Sequence, residues 1–248
     1  MRTIFAILAF FLWISVFAGM TKVVFSAKIN VPILMYHYIA NNPNPKDTQR
    51  DSLSVPPDKF DLQMEYLSKN GYTPITLDTL YGIYNGQVSV PSKPVVLTFD
   101  DGYIDFYTIA YPILRKYNFH VVAFIPTGLV GGSYYMNWDQ IKEIQSSGLV
   151  IFEAHTVTHP TLKSLSFSAA LKQMVDSKNT LQSQTGYPVN FIAYPYGISN
   201  TSVHNAARAV GFVGGLGTWF GKTSVGGMNM PRIKVSGFWS LKEFASRL

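Results

Sequence analysis

The chain of 248 residues contains no cysteine. That excludes disulfides and every thiolate metal site, so any metal would have to be held by histidine and carboxylate. Charge is scarce too. Charged residues make up 14% against 47% hydrophobic, which excludes a disordered polyelectrolyte. The net charge is +6, yet the Lys and Arg residues are scattered, with no run of three. A nucleic-acid binder concentrates such charge in clusters, so no nucleic-acid partner is expected. The excess suits work near anionic envelope polymers. Internal repeats and low-complexity segments are absent.

Long apolar runs are missing except at the start. Behind Arg2, Ile4 to Ala18 is apolar apart from Ser15, in the manner of a secretory h-region. Val16-Phe17-Ala18 and Val24-Phe25-Ser26 are two candidate cleavage sites. The run is short for a membrane span, but an uncleaved anchor also fits. Residues 1–27 are read as a signal peptide or N-terminal membrane anchor. Residues 28–248 are read as one domain, since α/β barrels routinely have this length. The domain is expected to be secreted or held at the cell envelope. It would meet the membrane only through its N-terminal segment and act as a monomer.

The organising stretch is Val95 to Tyr103, Val-Val-Leu-Thr-Phe-Asp-Asp-Gly-Tyr. Its apolar run reads as a buried parallel strand. Asp100 and Asp101 stand at the C-terminal end, where α/β folds place their chemistry. Adjacent side chains there point in different directions, so one carboxylate can face a metal and the other a substrate. Upstream, Asn30–Ile39 reads as a first strand carrying His37, Ala40–Pro57 as a long polar loop and Asp58–Asn70 as an amphipathic helix. Ile75–Leu77 reads as a short strand, with Asp78 capping a helix from Thr79 to Tyr84. Downstream, helices over 106–117, 138–147, 168–185 and 201–210 alternate with strands over 121–125, 149–154, 190–194, 212–214 and 232–235. Ser240 caps a last helix. Such alternation argues for a parallel sheet, and seven or eight units favour a barrel.

Two further stretches end strands on the same face. His155-Thr156-Val157-Thr158-His159 precedes Pro160, which disfavours a helical His159, so a loop is expected. With the Asp pair it supplies two imidazoles and a carboxylate, a tridentate set suited to Zn²⁺ that leaves positions open. Tyr194-Pro195-Tyr196-Gly197 is a turn whose Pro and Gly can present a main-chain N–H rigidly. Ordinary loop histidines and an aromatic turn are the plain readings of these two stretches taken singly.

Taken together and in order, the three stretches resemble the motifs of polysaccharide deacetylases with the NodB homology domain, carbohydrate esterase family 4. The resemblance covers about Val31 to Leu248. It implies a distorted barrel of (β/α)7 type and a metal-dependent deacetylase, most simply a Zn²⁺ enzyme. The substrate implied is a polysaccharide containing N-acetylglucosamine, from which acetate is released. By this resemblance Asp100 is the general base, Asp101, His155 and His159 are the metal ligands, and the Tyr196 N–H stabilises the oxyanion. Tyr103 and Tyr194 are expected to contact substrate.

Two departures stand out. Ala193 occupies the place where many members carry an Arg that contacts the base, and Arg232 is expected to replace it from the last strand. The late histidine motif is missing, since no histidine lies beyond His204. Met35-Tyr36-His37 instead resembles the N-terminal motif of the poly-β-1,6-N-acetylglucosamine deacetylase branch, which makes His37 the general acid. Peptidoglycan, chitin oligomers and small acetyl esters stay open as substrates. A silent carbohydrate-binding module is the rival of another class, although no ligand or base has been lost.

Overall fold

The computed structural model describes residues 30–44, 46–222 and 227–248. A parallel sheet forms its centre. Strands β1 (Ile33–Tyr36), β3 (Pro94–Phe99), β4 (Val121–Ile125), β5 (Val150–Ala154), β6 (Phe191–Ala193), β7 (Gly214–Leu216) and β8 (Ile233–Lys234) lie in the order β7-β6-β5-β4-β3-β1-β8. Every pairing is parallel. The two ends of this path are drawn together by a bridge from Leu216 to Met230, just ahead of β8. The result is a distorted seven-strand barrel, as expected. A short β2 (Thr73–Pro74) pairs with the first residues of β3.

Period-two alternation divides each strand between two apolar cores. Val96, Val122, Phe124, Phe191 and Leu216 face the barrel interior, joined by Leu77, Leu80 and Ile83 of α3 (Leu77–Tyr84). Val95, Leu97, Phe99, Val121 and Ala123 face outward to the helices. That outer layer includes α2 (Pro57–Lys69), α4 (Tyr111–Lys116), α5 (Trp138–Ser146), α6 (Phe167–Thr185), α7 (Thr201–Val210) and α8 (Leu241–Ala245). Among the described residues no helix is long and apolar enough to cross a membrane. Residues 1–27, expected to be a signal peptide or membrane anchor, lie outside the described residues.

Several boundaries differ from expectation. Ile75–Leu77 is not a strand, because the Thr76 hydroxyl accepts the Thr79 N–H and starts α3 early. Asp78 therefore sits inside the helix rather than capping it. The strand expected over 212–214 begins at Gly214. Gly211, in the left-handed region, ends α7, and the Phe212 N–H is still bonded to the Ala207 carbonyl. The long polar loop contains a single turn, α1 (Thr48–Asp51). The helix after the Asp pair opens with a π-helical turn, Phe106–Ala110. Pro112 offers no N–H to the Thr108 carbonyl, which loosens that turn.

Candidate active site

Every motif reaches the same mouth of the barrel because each follows the C-terminal end of a parallel strand. Asp100 continues the inward set Val96-Thr98 of β3. Asp101 turns away at φ 71°, followed by Gly102 at φ 69°. His37 follows β1, His155 follows β5, and Tyr194 to Gly197 follow β6. A cleft of about 600 Å³ opens there, with His37, Asp100, Asp101, His155, His159 and Tyr196 in its lining.

Arg232 lies just ahead of β8, wholly buried inside the barrel. Its Nη1 and Nη2 donate to the two oxygens of Asp100, each at 2.7 Å. Its Nε donates to the Gly217 carbonyl at 2.8 Å. This is the bidentate fork that arginine forms best. Burial pushes the Asp100 carboxyl up, but the Arg232 charge and hydrogen bonds outweigh it and hold the group below its ordinary value. His37 Nε2 stands 3.9 Å from Asp100 Oδ2. Burial lowers the His37 pKa, against the pull of Asp100 and Asp101.

Asp101 Oδ1 is 3.3 Å from Nε2 of both His155 and His159. The three ligand atoms lie within 4.8 Å of one another. His155 Nδ1 is 2.7 Å from the Ala193 carbonyl, which can only accept, so Nδ1 carries the proton. In neutral His155 the Nε2 lone pair then faces a carboxylate oxygen. Two lone pairs at this distance call for a proton or a cation between them. Donors about 2.1 Å from one tetrahedral ion stand about 3.4 Å apart, so the set fits a divalent metal. With only protein groups present, burial lowers His155, and the Asp101 and Asp100 carboxylates more than reverse it.

Backbone strain concentrates here. Of the six non-glycine residues with positive φ among the described residues, four are Asp101, Thr156, His159 and Tyr196. Such conformations cost roughly 1–3 kcal/mol each and persist only when surroundings enforce them. At Tyr196 (φ 60°) the ring is exposed and packs edge-on to His159, with centroids 4.7 Å apart. The adjoining Gly197 has no substitute, since a Cβ there would sit 2.1 Å from the Thr218 hydroxyl.

Tyr103 and Tyr194, the two tyrosines expected to contact substrate, both line the cleft. Tyr103 is stacked between Tyr38 at 3.9 Å and Tyr135 at 5.3 Å. Both its faces are covered, so it offers the cleft an edge and a hydroxyl. Tyr194 packs beside His204 and is buried at the base of the cleft. Arg50, which caps the outer face of Tyr38 at 4.2 Å, and the Ala193 carbonyl had no sequence signal. The first comes from the long loop, and the second is a main-chain atom.

A parallel barrel with paired carboxylates and a two-histidine, one-carboxylate cluster at its C-terminal mouth defines a hydrolase scaffold. The family model for polysaccharide deacetylase matches residues 87–215. The chain is 32% identical over 208 residues to "Putative polysaccharide deacetylase YxkH" of Bacillus subtilis (strain 168), covering 83% of this chain and 71% of that protein. It is 35% identical over 164 residues to the poly-beta-1,6-N-acetyl-D-glucosamine N-deacetylase of Staphylococcus aureus (strain N315). That match covers 59% of this chain and 55% of the relative, little more than half its length. Among solved structures, the Streptococcus pyogenes deacetylase PplD in complex with acetate superposes with TM-score 0.83 at 33% identity. The superposition covers 88% of this chain and 98% of that one. The chain belongs to the polysaccharide deacetylase family, and it is a hydrolase of amide bonds.

Proposed function

We propose that the protein removes acetyl groups from N-acetylglucosamine units of an extracellular or cell-wall polysaccharide, using a divalent metal, most simply Zn²⁺. The observation that carries this reading is the Asp101–His155–His159 cluster beside an Asp100 locked by Arg232. An ion held by those three residues supplies Lewis acidity toward water and the acetamide oxygen. Asp100, kept ionised by Arg232, accepts a proton from the attacking water. The water oxygen bonds to the carbonyl carbon. The Tyr196 N–H, which finds no acceptor among the described residues, donates to the oxyanion. His37 holds a proton at Nε2 for the departing nitrogen. The carbon–nitrogen bond breaks, leaving acetate and a free sugar amine.

Support for a β-1,6-linked substrate comes from His37, which follows the first strand in a Met-Tyr-His motif, and from the named activity of the Staphylococcus aureus relative. The protein is proposed to act as a monomer outside the cytoplasmic membrane, delivered by residues 1–27. Acetate release from β-1,6 and β-1,4 N-acetylglucosamine oligomers tests the substrate. Preference for β-1,6 is expected, and exclusive activity on β-1,4 chains would overturn the linkage assignment.

A further inference from the structure

The loop that carries both histidines is held in an unfavourable shape. Thr156 stands at φ 67° and His159 at φ 56°, and a β-branched residue in the left-handed region is a marked outlier. One tether is internal, since the His159 N–H donates to the Thr156 hydroxyl at 3.0 Å, and the others come from outside the loop. On one side, the Thr156 and Val157 carbonyls accept the Thr127 and Gly128 N–H groups. On the other side a single side chain reaches in from α6. Gln173 Oε1 accepts both the Val157 and the Thr158 N–H at 3.0 Å, and its Nε2 is 3.0 Å from the Thr158 hydroxyl. The Gln173 amide thus fixes the two residues between Thr156 and His159.

We propose that Gln173 is a positioning residue for the metal centre: its amide clamp keeps His159 Nε2 within ligand distance of Asp101 and His155. This rests on the reading of those three residues as metal ligands. Without the clamp, two N–H groups lose their acceptor, and only the Thr127 and Gly128 bonds and the His159 N–H bond to the Thr156 hydroxyl still oppose relaxation of the left-handed conformations. His155 is anchored separately by the Ala193 carbonyl, so the displacement falls on His159. Partners of this kind typically change metal affinity 10–100-fold when removed.

The test compares Zn²⁺ affinity, by competition with a chromophoric chelator, and thermal stability of the metal-free form in the full chain, Gln173→Leu and Gln173→Glu. The Leu variant removes the clamp. The Glu variant keeps an acceptor for both amides and can accept from the Thr158 hydroxyl. Expected is a loss of tenfold or more in the Leu variant with metal-free melting unchanged, and affinity within about threefold of the parent in the Glu variant, below the 10–100-fold range for loss of such partners. A Leu variant that binds Zn²⁺ as tightly as the parent overturns the role of Gln173. So does a Glu variant that loses as much as Leu. A parent protein that binds no Zn²⁺ overturns the metal reading itself. Amide exchange in the metal-free parent decides the matter should the Leu variant fail to fold. Protected Val157 and Thr158 N–H groups support the clamp, and freely exchanging ones refute it.

Discussion

Arg232 is a full charge inside a barrel otherwise lined by Val96, Val122 and Phe124. Burying it is tolerable only because its fork is matched by Asp100 and its Nε by a carbonyl. Removing one partner strands the other. Arg232→Met is expected to lower stability by about 3–5 kcal/mol and to abolish most acetate release. Adding Asp100→Asn should recover part of the stability in urea unfolding but none of the activity. Equal stability of the single and double variants would contradict the pairing. His37 touches Asp100 from the other side. His37→Ala should cut turnover by about 10²–10⁴-fold, read from acetate release, while near-normal turnover would remove it as the acid. At this scale much was legible. The Asp pair and the two histidines could be read from the chain, and the family resemblance called for an arginine at the base. The covered faces of Tyr103 and the left-handed Thr156 and His159 could not, because neighbours distant in sequence create both.

At the scale of elements, β5 and β6 share a single registered pair, Ala154 with Ile192. Glu153 compensates for this short ladder. Its Oε2 accepts the N–H groups of Asn190 and Phe191, at 2.9 and 2.8 Å, and so fixes the start of the strand that leads to Tyr196. Burial raises the Glu153 pKa well above its ordinary 4.5, although those two bonds pull the other way. The native state therefore holds a proton that the unfolded chain releases. Its contribution to stability is full below about pH 4.5 and is lost as pH rises through the raised folded value. Glu153→Gln keeps the acceptor and cannot ionise. The variant should show a flatter fall in stability between pH 5 and pH 8 than the parent, in urea unfolding at each pH. Parallel curves would contradict the assignment. Helix positions were legible here, through periodicity and caps such as Ser240. The strands at Thr73–Pro74 and Gly214–Leu216 were not, because two or three residues carry too little alternation to mark a boundary.

At the scale of the whole molecule, a curved parallel sheet, its ends linked by one bridge, gathers residues from positions 37 to 232 at one mouth. The strand–helix alternation made the parallel sheet legible. Periodicity alone could not distinguish an open sheet from a barrel, because closure depends on the bridge between Leu216 and Met230 across the Gly-rich stretch. The central claim is that this mouth performs metal-dependent deacetylation. It is tested most directly by acetate release from N-acetylglucosamine oligomers by the purified protein, after chelation and again after Zn²⁺ is restored. Activity that disappears on chelation and returns with Zn²⁺ is the predicted result. Full activity in metal-depleted protein would contradict it.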